Sequence, residues 1–170
     1  MKGENLMKNK DKIIKVIICC IFLLYLVLLT KVILFKYHGF GIILDVLRHV
    51  NLSNLSFRIT NSNFIPMKTI FYYLGGNQSI GVAKNNLLGN IIAFGPLGFL
   101  LPIAISKMNK LKEIFVFSAA FSLILEVIQL ITGLGQFDVD DIILNVLGSI
   151  LGFIIYKTLK SIFYKNISVN

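Results

Sequence analysis

Charge is what this sequence has least of. Only 15% of its 170 residues are Asp, Glu, Lys or Arg, against 56% hydrophobic residues and a mean hydropathy of +0.80. Soluble domains carry about a quarter charged and about half apolar residues, so a water-soluble fold is excluded. A disordered chain is excluded as well, because it would be poor in apolar residues. Acids are scarcer than bases, eight against seventeen, for a net charge of +9 and a pI near 9.6. Cysteine is limited to Cys19 and Cys20. Neighbours on a helix face different sides and no third cysteine exists to pair with them, which excludes a disulfide framework and a zinc finger. There is no G-x-S-x-G element, no phosphate-binding glycine loop, no internal repeat and no low-complexity stretch. Neither His38 nor His49 has a second ligand at a metal-binding interval, so no metal site is assigned.

What the chain does have is four apolar runs near the roughly 20 residues that cross a bilayer. They cover about 13–35, 85–106, 114–133 and 142–163. The expected fold class is therefore all-α: a polytopic membrane protein with four transmembrane helices in a single membrane domain, 13–163. A basic N-terminus, 1–12, precedes it, and a partly helical interfacial segment, 36–84, joins the first and second spans. Lys2, Lys8, Lys10, Lys12 and Lys15 lead into an uncharged stretch, Val16 to Thr30, with no small-residue cleavage site after it, so an uncleaved first span is expected. Lys15 and Lys31 lie close enough to its ends to snorkel into the headgroups.

Lys and Arg concentrate on the cytoplasmic side of short segments. Eleven of the seventeen fall in the N-terminal segment, the Lys107–Glu113 loop and the C-terminal end, which four spans place on one side. The Gly135 to Asp141 turn, on the other side, has none. A multi-pass cell-membrane protein with both termini cytoplasmic is the expectation. The basic excess then serves orientation and anionic lipid rather than nucleic acid. Within the outer segment, Ile42, Ile43, Leu44, Val46, Leu47 and Val50 approach helical spacing. Ile65, Pro66 and Met67 read as a turn before a short helix, Ile70 to Leu74, which Gly75 and Gly76 stop.

The few polar residues of the spans converge. Asn86 and Asn90, four apart, share a face near the outer end of the second span. Glu126 and Gln129 do so near the outer end of the third, with Glu126 about 10 Å deep at 1.5 Å per residue. The turn adds Asp138, Asp140 and Asp141, and the fourth span aligns Asp141, Asn145, Gly148 and Gly152. A lone carboxyl in hydrocarbon costs several kcal/mol, so Glu126 needs partners. Candidates are Gln129, Asn90, Asn145, or a base of the outer segment, Arg58 or Lys68. One reading makes these residues a structural network of interhelical hydrogen bonds, with Gly89, Gly148 and Gly152 allowing close approach. The other makes them a ligand site in the outer half of the bilayer. Asp138 or Asp140 serves as a helix cap in the first reading. In the second, Asp138, Asp140 and Asp141 are oxygen ligands for a divalent cation, and Glu126 is a general acid/base. Apart from that cation, which only the second reading entertains, no cofactor is expected.

Three motifs carry a family resemblance. Asn86-Leu-Leu-Gly-Asn90-Ile-Ile-Ala-Phe94-Gly-Pro96-Leu-Gly98-Phe-Leu-Leu-Pro102, then Glu126-Val-Ile-Gln129, then Phe137-Asp138-Val-Asp140-Asp141-Ile-Ile-Leu-Asn145-Val-Leu-Gly148 closely resemble the VanZ-like membrane proteins. Asn63-Phe-Ile-Pro66-Met67-Lys68 resembles that family's Asn-Leu-Ile-Pro-Phe stretch, with Met67 in place of the usual Phe. Glycines and Gln136 stand where many relatives have an Arg before the acidic motif. If that Arg pairs with an acid, Arg58 is the expected substitute here. The resemblance implies a small helical bacterial membrane protein whose namesake is linked to low-level teicoplanin resistance, without an assigned reaction. The expected function is a cell-envelope protein whose outer polar cavity engages a lipid-linked or amphiphilic ligand, lowering susceptibility to teicoplanin-type lipoglycopeptides; the expected partners are membrane lipid and a lipid-linked or glycopeptide ligand. The alternative is an intramembrane enzyme acting on a lipid-linked substrate.

Overall fold

The computed structural model describes residues 2–35, 54–76 and 79–167. Among these residues six helices and no strand occur: α1 (Lys2–Leu34), α2 (Leu55–Thr60), α3 (Lys68–Leu74), α4 (Ile80–Ala104), α5 (Leu111–Thr132) and α6 (Val139–Ile167). Four stretches are long and apolar enough to cross a membrane: Lys12–Leu34, Lys84–Ala104, Leu111–Thr132 and Val139–Phe163. All four expected spans are present. The third starts at Leu111 rather than Ile114 and the fourth at Val139 rather than Ile142. Charge placement marks where a helix leaves the bilayer, whereas capping marks where it begins. Glu113 accepts the Lys110 N–H at 3.0 Å to open α5, and Asp138 opens α6. The basic N-terminal stretch is the first turns of α1 itself, a helix about 50 Å long at 1.5 Å per residue.

Neighbouring spans alternate in direction. The Tyr25 hydroxyl donates to the Ala93 carbonyl at 2.7 Å while Cys19 lies against Ala104, so α1 and α4 are antiparallel. Asn145 meets Ser122, and Asp138 meets Glu126, so α5 and α6 are antiparallel as well. The start of α1 and the end of α6 then lie at one end of the bundle and the acidic turn at the other. Helix α1 buries a single stripe, Phe22, Leu29 and Ile33, with Ile18, Tyr25 and Leu26 partly covered. Its other faces, including Leu23, Leu24 and Val27, are exposed apolar surface suited to lipid.

The tightest seam joins α4 to α6, which run parallel. A Cβ at Gly148 would collide with the Ile91 carbonyl, one at Gly152 with the Gly95 carbonyl, and one at Gly98 with the Ser149 carbonyl. Lipid supplies no hydrophobic drive between spans, so close backbone approach through small residues is what binds them. Gly148 and Gly152 act as expected. Gly89 does not, since a Cβ there meets nothing within 4 Å. Gly98 takes its place because it, and not Gly89, lies on the face of α4 turned to α6.

In the outer segment the turn and short helix are where the residues predict. Met67 caps α3 with a left-handed backbone, φ 68°, and Gly75 and Gly76 end it, Gly76 at φ 76°. The helical spacing read at Ile42 to Val50 lies outside the described residues, as do His38 and His49.

Candidate functional site

The site grows from the start of α6. Asp138 accepts the Asp140 N–H at 2.8 Å, the N-cap geometry that relieves a free amide of the first turn. The same carboxylate accepts Asn63 Nδ2 at 2.8 Å and the Thr69 hydroxyl at 2.6 Å. Asp140, fully buried, reaches away from its own helix to α3, where it accepts the N–H groups of Met67, Thr69 and Ile70. Both acids are therefore caps, Asp138 of α6 and Asp140 of α3. A carboxylate at a helix N-terminus also meets the positive end of the helix dipole. The backbone joins in: Asn63 N–H donates to the Phe137 carbonyl at 2.8 Å and Val139 N–H to the Asn63 carbonyl at 3.0 Å, an isolated parallel bridge. Phe64 stacks on Phe137 with centroids 5.0 Å apart.

Glu126 supports this turn from below. It is 1% exposed, and its Oε2 accepts the Asp138 N–H at 2.9 Å. Two of the partners expected for it, Asn145 and Gln129, bond to other groups as well. Asn145 donates to the Ser122 hydroxyl at 2.9 Å, and Gln129 donates to the Ile33 carbonyl at 3.0 Å, tying the end of α5 to the end of α1. Among the described residues Arg58 pairs with no acid, contrary to the role expected of it. Its guanidinium donates to the Ile131 and Leu130 carbonyls at 2.6 and 3.4 Å, groups that the end of α5 leaves without intrahelical donors. Gly133 makes this possible twice over. It closes α5 in the left-handed region at φ 76°, and a Cβ there would sit 2.7 Å from Arg58 Cζ.

Between α2, α3 and the acidic turn lies a cleft of about 1010 Å³. It is at the upper end of the range for small-molecule sites. Six of the residues singled out from the sequence line it: Arg58, Lys68, Asn86, Gln129, Asp138 and Asp141. Asn90, Glu126, Asp140 and Asn145 are buried outside that lining. The ten thus divide into a wall and its supports. Among the described residues, no three of His, Cys, Asp and Glu are grouped to hold a metal ion. Asp138 and Asp140 instead face amide and hydroxyl donors.

Residues outside the expected set matter as much. Asn63 and Thr69 lock the outer segment to Asp138, and Tyr73 accepts Asn86 Nδ2 at 2.9 Å at the cleft wall. Burial first, then the negative charges of Asp141 and Asp138, push the Tyr73 phenol above its ordinary value of 10.0. Asn63 belongs to the Asn-x-x-Pro stretch that marked the turn, and this was its available signal. Thr69 and Tyr73 had none, one being an unremarkable residue at a helix start and the other one of six tyrosines in a chain rich in aromatic rings.

A model of the VanZ/LLP1 family matches residues 22–162. Protein VanZ of Enterococcus faecium is 36% identical over 70 residues, which make up 41% of this chain and 43% of that protein. The chain thus aligns with less than half the length of that relative. No solved structure matches the chain. The match takes in the second half of the first span and nearly all of the other three, together with the outer segment and the acidic turn, and the chain belongs to the VanZ/LLP1 family of membrane proteins.

Proposed function

We propose that this protein binds the head of a lipid-linked or amphiphilic ligand at the outer leaflet of the bacterial cell envelope, and that it thereby lowers susceptibility to teicoplanin-type lipoglycopeptides. The observation that carries the reading is the cleft of about 1010 Å³ at the acidic-turn end of the bundle. A polar cavity at the rim of an apolar bundle suits a ligand with a polar head and an apolar anchor. The charge distribution supports its orientation. Eleven of the seventeen bases lie at the opposite end, which the positive-inside tendency assigns to the cytoplasm along with both termini. The drug association rests on the family resemblance, teicoplanin being itself lipid-anchored.

The enzyme reading receives less support. Glu126 is buried outside the cleft lining and holds the Asp138 amide, so this proposal assigns it to positioning the turn rather than to proton transfer. Two experiments test the function. Overexpression should raise the teicoplanin concentration that inhibits growth, and deletion should lower it. Unchanged susceptibility in both strains would overturn the resistance part. In the second, Asn86→Leu and Lys68→Glu should lose the effect at unchanged membrane accumulation. Full activity in both variants would remove the cleft from the mechanism.

A further inference from the structure

The cleft's own chemistry narrows the kind of head it accepts, granted that it is an amphiphile site. An anionic phosphate is the first candidate to weigh, because helix N-termini are ready anion sites. Two such termini reach the acidic turn, those of α3 and α6. Asp140 already occupies the first and Asp138 the second. Of the two cations in the described lining, Arg58 already spends its Nη1 on the Ile131 and Leu130 carbonyls, and Lys68 is the other. A cationic head fares no better. Asp138 already accepts from Asn63, Thr69 and its own helix, and the charge of the other lining acid, Asp141, is matched in number by Lys68. Among the described residues the lining is formally neutral, with two bases against two acids.

What remains available is amide, hydroxyl and flat aromatic surface. Gln136 is exposed in the lining and makes no hydrogen bond among the described residues. Asn61 uses Nδ2 on the Phe57 carbonyl at 2.8 Å and keeps its side-chain oxygen for other donors. Tyr73 accepts from Asn86 and has its own hydroxyl proton to donate. An amide offers a donor and an acceptor on one plane, which matches neighbouring hydroxyls that are each donor and acceptor. Phe57, Phe71 and Tyr72, all largely exposed, supply apolar ring faces beside these groups.

We propose that the cleft takes an uncharged, polyhydroxylated head, a sugar carried on a lipid anchor. Its ring lies against Phe57, Phe71 and Tyr72, and its hydroxyls engage Gln136, Asn61 and Tyr73. Sites built to hydrogen-bond hydroxyls reject analogues lacking them, because the site's polar groups are then left without partners.

The test uses the full chain in nanodiscs, titrated calorimetrically against empty nanodiscs as reference. The probes are octyl glucoside, octyl phosphate and octyl phosphocholine below their micelle concentrations, and free glucose. Octyl glucoside is expected to saturate a single site about tenfold more tightly than either phosphate amphiphile, and free glucose to bind far more weakly. Gln136→Ala, which removes an exposed side chain with no hydrogen bond among the described residues, should weaken octyl glucoside about tenfold, as should Phe71→Ala, with melting temperatures unchanged. If octyl phosphate or octyl phosphocholine binds as tightly as the glucoside, the sugar assignment is overturned and the amphiphile site stands. If free glucose matches octyl glucoside, the lipid anchor is overturned. Binding of no octyl compound above the empty nanodisc overturns the amphiphile reading as well.

Discussion

At the seam between α4 and α6 two helices meet because side chains are missing. At the acidic turn, α3 and α6 meet because side chains reach across. In the seam Gly98, Gly148 and Gly152 bring backbone against backbone, with the Ser149 hydroxyl adding a bond to the Phe94 carbonyl at 3.3 Å. At the turn three carboxylates, those of Glu126, Asp138 and Asp140, gather seven donors from three stretches of chain. The different solvents explain the different means. In hydrocarbon, contact is gained by fitting surfaces together, since lipid tails are as apolar as the side chains they replace. At the rim, water competes for every polar group, and each hydrogen bond is worth about 1 kcal/mol net, so many are needed to hold a segment of 23 residues, 54–76.

Breaking the seam should have the larger effect. Gly98→Leu forces a side chain into the Ser149 backbone, which cannot give way as a flexible side chain could. A loss of about 3 kcal/mol is expected. Gly89→Ala, on the same helix but facing open space, should stay within about 0.5 kcal/mol of the parent. Unfolding of both variants in mixed micelles by a denaturing detergent measures the difference, and equal stabilities would remove the seam's special status.

Breaking the turn should be smaller and local. Asp140→Ala leaves the Met67, Thr69 and Ile70 amides without their acceptor, at a cost of about 2 kcal/mol. Hydrogen exchange should accelerate at those amides while the α4–α6 core keeps its protection; uniform loss of protection would show that the turn and the seam are one unit. Arg58→Ala should cost about 1 kcal/mol and free the end of α5, seen as faster exchange after Leu130.

The smallest effect is on pH dependence. Because the Tyr73 phenol is raised in the fold, the unfolded chain ionises first as pH climbs. Its contribution to stability is complete below the ordinary value of 10.0 and is lost as pH rises through the raised one. Tyr73 is partly exposed, so the slope should be shallow. Comparing alkaline melting of the parent with Tyr73→Phe isolates it. The variant should lose less stability above that value, and identical profiles would contradict the shift.

Much of this molecule is readable along the chain. Four spans, the turn at Pro66, the glycine stop after α3 and the polar residues at one end all follow from run length and spacing. These are local properties, governed by bilayer thickness and the 3.6-residue period. The division of the ten candidate residues was not readable. Asn86 and Asn90 share a face of α4, yet the first lines the cleft and the second is buried beneath it, because depth along a helix relative to its neighbours is set by packing. Glu126 drew notice as an intramembrane acid. What it does depends on an amide twelve residues later, placed there by the antiparallel return of α6.

Arg58 makes the distinction plain. Sequence supplied a base near several acids, and charge alone suggested an ion pair. Its guanidinium instead closes a helix end, since α5 stops at Gly133 just beside it and presents carbonyls that need donors. Composition and period determined by themselves that this chain crosses a membrane four times with its polar groups at one end. Only the tertiary structure decided which of those groups face one another and which face the cleft. Partner choice is settled by distances between segments up to 96 residues apart, and no local pattern encodes them.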